Sequence, residues 1–391
     1  MLIKAIDLYV VNLPFNFSFG HSLAKRSSSQ NIIVKVTLAD GSIGYGEGIP
    51  REYVTGESVS SALKCLAQDL VPVILQEESN VVSQLNKLTL PATGGGAAWC
   101  ALELAILDAC ARSKNLSLAE VVGKPLRNEI KYDGVVPFAR REFFLAILLF
   151  YKFYGFETVK LKLGANDDDN LFKVKTARAI LGNSVKLRVD VNSAWTLDQA
   201  LRSAEFFRPY NVLSYEQPFA GNAWEDLQKL TAAIPEEVVL DESLRTVDEA
   251  QSLAQQRVGS GFNIRLSKVG GITAAKRIVE IASNHNINCH LGAQVGESAI
   301  LSSAGRIFAC TQKPFANYEG SANRFLLKND LAQENLTASW GGKGVLDNKP
   351  GLGITVLENR LESLAIEHKK FTLGTVDIGK AALVNEVVGV R

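Results

Sequence analysis

The sequence predicts an α/β protein built on a TIM-type (β/α) barrel, with an α+β unit before it and a tail that packs back on that unit. Three observations carry this. After Lys131, short β-rich runs alternate with helical stretches. The polar residues that end these runs recur at an even step. No Gly-rich phosphate loop opens the first unit, as a doubly wound open sheet would want.

The elements follow in order. Residues 1–48 alternate apolar and polar side chains like antiparallel strands, with strands expected over 2–11 and 31–37. Asp40-Gly41 is a turn signal before a third strand over 43–47. Residues 58–75 and 97–113 carry the i, i+3, i+4 spacing of helices with one buried face. An α+β unit is thus expected over 1–125. Gly94-Gly95-Gly96 follows no strand and is not a phosphate loop. A first barrel strand is expected near 132–137, then others over 158–163, 186–191, 212–216, 238–241, 263–267, 287–291 and 316–319. Six of these runs end at polar residues 162, 190, 216, 241, 268 and 290, in steps of 28, 26, 25, 27 and 22. One strand, one helix and two short loops need about that much chain. Eight such units in roughly 200 residues make a compact barrel, assigned to 126–330. Residues 331–391 return to turns and strand-like pieces.

Composition excludes several classes. The 391 residues are 47% hydrophobic and 21% charged, as in an ordinary globular enzyme. Lys+Arg 42 against Asp+Glu 41 leaves a net charge of +1, so there is no bulk basic field for nucleic acid or an anionic membrane. The 5 cysteines are scattered without a C-x-x-C, which excludes a disulfide framework and a structural zinc site. The greasy run over 143–151 is far short of the ~20 residues that span a bilayer. The start, with Lys4 and Asp7 among alternating apolar residues, reads as a strand and not as a signal peptide, so a cytoplasmic protein is expected.

In such a barrel, chemistry sits at the C-terminal ends of the strands. Lys160 and Lys162 lie at i and i+2 and share a face. Facing inward, two desolvated cations would depress each other's pKa, as a lysine base requires. Facing outward, both would simply be solvated. Asp190 with Asn192, then Glu216, then Asp241 end three successive strands. Neighbouring strands are ~5 Å apart, so the three carboxylates can converge. Mg²⁺ (Mn²⁺ can replace it) would relieve their repulsion. The other reading is that each caps a following helix. Lys268 ends the sixth strand, across the barrel from Lys162, and Gly270-Gly271 then start a helix at Thr273.

The ordered run K-x-K, D-x-N, E-Q-P, D-E-S and L-S-K-V-G-G resembles the enolase superfamily, most closely its muconate-lactonizing subgroup. That subgroup contains muconate cycloisomerases, o-succinylbenzoate synthases, N-acylamino acid racemases and dipeptide epimerases. The stretch over 44–57 and the helix over 98–112 are similar to its capping domain, and Pro350-Gly351-Leu352-Gly353 to its returning tail. The resemblance implies a barrel with an α+β capping domain formed by the N-terminal region and the C-terminal tail, in a homo-oligomer. It implies one Mg²⁺ per subunit on Asp190, Glu216 and Asp241, and Lys162 and Lys268 as an acid/base pair on opposite faces of the substrate. Lys160 would depress Lys162 and meet the substrate carboxylate, with Asn192 and Glu297 nearby. The implied reaction removes the proton α to a carboxylate through a metal-stabilised enediolate. Racemase, epimerase or cycloisomerase chemistry is expected, with a lyase of the o-succinylbenzoate synthase type as the alternative. A Schiff-base class I aldolase using Lys268 and a non-catalytic barrel are weaker alternatives.

Substrate choice is expected from a loop over 16–30 with His21, Lys25 and Arg26, and from a second loop with Arg51, Tyr53 and Thr55. Dipeptide epimerases carry D-x-D on the eighth strand to hold a free ammonium. This chain has Asn317-Tyr318-Glu319-Gly320-Ser321, with only Glu319 to serve. A substrate without a free amine is favoured: an N-acyl or N-alkyl amino acid, or an unsaturated diacid. His290 reads as a packing residue, and His21, His285 and His368 have no ligand spacing.

Overall fold

The computed structural model describes residues 1–21, 24–75 and 95–372. Strands β1 (Ile3–His21), β2 (Ala24–Leu38) and β3 (Ile43–Gly48) form an antiparallel sheet. One face of β1 and β2, with Ile6, Leu8, Val10, Ile32, Val34 and Val36, packs on the helices that follow. The stretch over 16–30, expected as a loop, continues the hairpin: Phe19 pairs with Arg26 and Gly20 with Lys25. The side chains of His21 and Lys25 and the residue Gly94 lie outside what is described. The helical stretch over 59–75 holds a π-wound segment, Cys65–Leu70, just before Pro72. Proline has no N–H to give to a regular ladder there.

The helix Gly96–Ser113 lies directly on β3. Gly44, Gly46 and Gly48 present one bare face of the strand to Ala97, Ala101, Ala105 and Ala109. A Cβ on Gly46 would stand 2.0 Å from the carbonyl oxygen of Ala101, so only glycine permits this approach.

The short strand β4 (Glu129–Lys131) precedes the barrel. The barrel strands are β5 (Gly134–Val136), β6 (Thr158–Lys162), β7 (Lys186–Asp190), β8 (Val212–Glu216), β9 (Glu237–Leu240), β10 (Gly261–Ile264), β11 (Asn288–Leu291) and β12 (Asn317–Tyr318). Among the described residues they form one eight-stranded parallel sheet in strict chain order. The Asp133 N–H donates to the Tyr318 carbonyl at 2.7 Å, joining the first strand's approach to the last strand. The predicted (β/α) barrel is therefore present, each strand within three residues of its expected limits. Strand β13 (Lys343–Val345) pairs with β4, and β14 (Ala365–Thr372) returns to pair antiparallel with β1.

Two buried carboxylates fasten the N-terminal unit to the barrel. Glu47 of β3 accepts from the Ser298 and Leu301 N–H groups and so caps the helix Ala299–Thr311. Glu103 accepts from the Ile272 and Thr273 N–H groups and caps the helix Ile272–Asn284. An anion at a helix N-terminus satisfies donors that otherwise have no partner.

Gly46→Ala is expected to destabilise the protein by about 3 kcal/mol, the upper range for an added core methyl group. Thermal unfolding reads this directly, and an unchanged midpoint would mean that strand and helix can part without cost.

Candidate active site

The inward alternation of β6 settles the two readings of its lysines: Lys160 is 1% and Lys162 9% exposed. Arg188 and Asp190 share the inward face of β7, and Glu216 ends β8. Asp190 pairs in register with Glu216 on the neighbouring strand, and Asp241 directly follows β9. All three acids are fully buried. The strand ends are braced by Gln217, whose side-chain oxygen accepts from the Asp241 and Ser243 N–H groups at 2.8 and 3.2 Å.

These acids are interleaved with cations. Lys160 Nζ lies 3.0 Å from Glu216, 2.7 Å from Glu319 and 3.6 Å from Asp190. Lys162 Nζ donates to Asp190 Oδ2 at 2.9 Å and to Asn192 Oδ1 at 2.7 Å. Arg188 reaches Asp133, Glu319 and Glu216 at 2.8, 3.1 and 3.2 Å. Arg265 pairs with Asp241 and comes within 3.8 Å of Glu216.

The charges follow from this geometry. Burial pushes Glu216 up, Lys160 pulls it back, and Asp190, Glu319 and Asp241 repel it, leaving it at about 7. Burial alone would also raise Glu319, but Lys160 and Arg188 outweigh it and hold it at about 2. Lys160 is held above its ordinary range, because Glu216, Glu319 and Asp190 outweigh its burial. The expected repulsion between two bare lysines is therefore replaced by carboxylates set around them.

As the side chains stand, the acidic oxygens turn towards these cations. Among the described residues, no group of three His, Cys, Asp or Glu side chains encloses one point as a metal cage. The donor chemistry nonetheless fits a hard divalent cation: three buried carboxylates from adjacent strands, oxygen donors only. Shared partners hold them close, since Lys160 touches both Asp190 and Glu216, and Arg265 touches Asp241 and approaches Glu216.

A cavity of about 350 Å³ opens on this network. Its polar end is formed by Lys160, Lys162, Asp190, Arg265, Glu297 and Glu319, and its far wall by Phe17, Phe143, Ile147, Phe150, Tyr151 and Phe325. Glu297 is pushed up to about 8 by burial.

Other expected residues stand elsewhere. Lys268 is not among the residues that line this cavity. It lies beyond β10 in the helical turn Leu266–Val269, and its ammonium donates to Asp241 Oδ1, the Asp241 carbonyl and the Asn263 carbonyl at 2.8, 2.7 and 2.8 Å. Arg26 stacks over the Tyr53 ring at 5.7 Å, and neither lines the cavity. His290 is fully buried between Glu237 and Asn317, both at 3.0 Å.

Arg188, Arg265 and Asp133 were not anticipated. The signal for two of them is the alternation applied to the lysines: Arg188 is two residues before Asp190, and Arg265 two after Asn263.

Comparison with known proteins agrees with this architecture. Residues 149–360 match the family described as Enolase C-terminal domain-like, and residues 5–123 match the Mandelate racemase / muconate lactonizing enzyme, N-terminal domain. The chain is 27% identical over 368 residues to the N-succinyl-L-Arg/Lys racemase of Bacillus cereus, covering 94% of this chain and 98% of that one. It is 28% identical over 358 residues to the L-Ala-D/L-Glu epimerase of Bacillus subtilis, covering 90% and 97%. The crystal structure of muconate lactonizing enzyme from Pseudomonas fluorescens complexed with muconolactone superposes with a TM-score of 0.87 at 25% identity, over 93% of this chain and 99% of that one. The chain belongs to the mandelate racemase/muconate lactonizing enzyme family, the racemase, epimerase and cycloisomerase branch of the enolase superfamily.

Proposed function

We propose that this chain is a Mg²⁺-dependent isomerase that removes the proton α to the carboxylate of a small substrate, as a racemase, epimerase or cycloisomerase. β-Elimination of the o-succinylbenzoate synthase kind is the alternative outcome of the same machinery. The observation that carries the reading is Lys162: an amine at the polar end of the cavity, hydrogen-bonded to Asp190 and Asn192, beside three buried carboxylates.

Asp190, Glu216 and Asp241 would hold the cation. When bound, it supplies positive charge to carboxylate oxygens that become more negative as the proton leaves. The use of a lysine base with Mg²⁺ in this superfamily is a general pattern. Lys162 takes the α-proton, which it can do only as the free amine. Asn192 fixes the direction of that amine through its 2.7 Å contact. Lys160 stays charged among its three carboxylates and holds them in place. Glu297 stands at the cavity wall beside the substrate position.

The cavity also speaks to the substrate. Glu319, the acid that the eighth strand offers to a substrate ammonium, is already paired with Lys160 and Arg188. The aromatic wall suits an apolar body. An N-acylated amino acid or an unsaturated diacid with an apolar group fits better than a free dipeptide. The similarity to an N-succinyl amino acid racemase supports an N-acyl group. The working unit is read as residues 1–125 and 331–391 capping a catalytic barrel over 126–330, in a cytoplasmic homo-oligomer. No helix among the described residues is long and apolar enough to cross a membrane.

In D₂O, the Mg²⁺-loaded enzyme is expected to exchange the α-hydrogen of N-succinyl-L-phenylalanine, and EDTA to abolish that exchange. Proton NMR follows it, and exchange that persists in a chelated enzyme would refute the metal assignment. Lys162→Ala should lower the exchange rate by about 10³-fold, within the range for loss of a general base. Its thermal midpoint should stay near the wild type, and undiminished exchange would remove Lys162 from the reaction.

A further inference from the structure

We propose that the apolar group of the substrate leaves the barrel sideways, between the first and last barrel strands, and lodges against the helix Arg141–Tyr154, so that Phe143, Phe150 and Phe325 select the substrate. This rests on the α-proton chemistry proposed above and narrows its substrate to a small carboxylate that carries one uncharged aryl or branched alkyl group.

The way out is a seam in the barrel wall. Strands β5 and β12 are only three and two residues long. Among the described residues they are the two ends of the parallel sheet and share no ladder. The bond from the Asp133 N–H to the Tyr318 carbonyl ties them just before β5 begins. After β12 the chain runs on through Gly320, Ser321 and Ala322, and all three line the cavity. Facing them, Gly134 opens β5 without a side chain. A Cβ there would stand 2.8 Å from the Tyr151 ring, so β5 lies tight on the helix. The Tyr151 hydroxyl donates to the Val135 carbonyl at 2.8 Å. Small residues therefore edge the seam, and Tyr151 floors it.

The helix supplies the wall. Its Phe144 and Leu148 are buried in the core. Phe143, Ile147, Phe150 and Tyr151 fall at i, i+4, i+7 and i+8, share a neighbouring face, and line the cavity. Phe17 of β1 meets Phe143 edge-on at 6.4 Å, and Phe325 meets Phe150 edge-on at 5.9 Å. Phe17, Phe143, Phe150 and Phe325 keep 41%, 51%, 39% and 41% exposure. Rings left open together around one mouth mark a binding surface. The same cavity is lined by Lys162 and Asp190, so this surface is continuous with the candidate active site. That continuity assigns it to the substrate and not to a second protein.

Charge decides what the surface takes. The charged side chains that line the cavity stand at its barrel end, and none of the lining residues from 134–156 or 320–338 is charged. A carboxylate or guanidinium carried out through the seam would lose water there and gain no ionic partner. An aryl or branched alkyl group loses only unfavourable contact with water, and an aryl ring adds edge contacts with the phenylalanines. The substrate carboxylate stays at the barrel end, among the polar groups. The apolar group has two sources, the side chain on the α-carbon or the acyl group on the nitrogen, and both offer this wall the same chemistry.

The test compares rates of α-hydrogen exchange in D₂O by the Mg²⁺-loaded full chain, followed by NMR at low substrate concentration. N-succinyl-L-phenylalanine against N-succinyl-L-alanine probes the side chain, and N-phenylacetyl-L-alanine against N-acetyl-L-alanine probes the acyl group. In at least one pair the aryl compound is expected to exchange about 10- to 100-fold faster, the worth of burying one ring. Phe143→Ala and Phe325→Ala, at half-exposed positions where folding is not at stake, should each lower that preference several-fold. Ala322→Trp, which fills the seam from an exposed position, should remove it. Equal rates within both pairs, a faster rate for N-succinyl-L-arginine than for N-succinyl-L-phenylalanine, or a preference that survives Ala322→Trp would overturn the inference and leave the proposed function standing. If no compound is exchanged, the proposed function fails for this substrate class, and calorimetry with 4-phenylbutyrate and butyrate decides the pocket. Binding of the aryl acid at least about 10-fold tighter, lost in Ala322→Trp, supports it, and equal affinities refute it.

Discussion

The structure depends on keeping charge in a place where charge is expensive. At the mouth of the barrel, Asp190, Glu216, Asp241 and Glu319 are buried together with Lys160, Lys162, Arg188 and Arg265. A single buried ion would cost several kcal/mol, and losing one member of a pair strands the other. Here every acid has at least one cation within 3.2 Å or in direct contact, and most cations touch more than one acid. The network is satisfied as a whole and not pair by pair. That is why its members come from six different strands or strand ends, and why the barrel must close in register before any of them is neutralised.

The balance is incomplete on the acidic side. Glu216 is left at about 7 and Glu242 at about 8, both first through burial and then through neighbouring carboxylates. A surplus of buried negative charge next to an open cavity is a site that still wants positive charge. The apolar wall opposite, with Phe143, Phe150 and Phe325, asks for the other half of an amphiphilic ligand.

Much of this was legible in the chain. The barrel could be read because each strand ends in a polar residue that no core would choose, at a step fixed by the length of one strand and one helix. Asp190, Glu216 and Asp241 were found by that rule. Lys268, expected to end the sixth strand, lies in the turn beyond it, because β10 stops at Ile264. The hairpin over 16–30 was hidden for another reason: its polar residues are those of an exposed ribbon as much as of a loop. The partners of Glu319 could not be read at all, since Lys160 and Arg188 reach it from strands 159 and 131 residues away in sequence.

The pairing of β14 with β1 ties residue 372 to residue 5. The edge of β1 that β14 covers therefore stays open until the tail segment is in place. An open strand edge is a surface on which other chains can build. All eight barrel strands precede β14 in the chain. In the closed sheet Asp7 of β1 is buried and meets His368 of β14 at 2.9 Å, so the pairing of these two strands is fastened by side chains as well as by backbone.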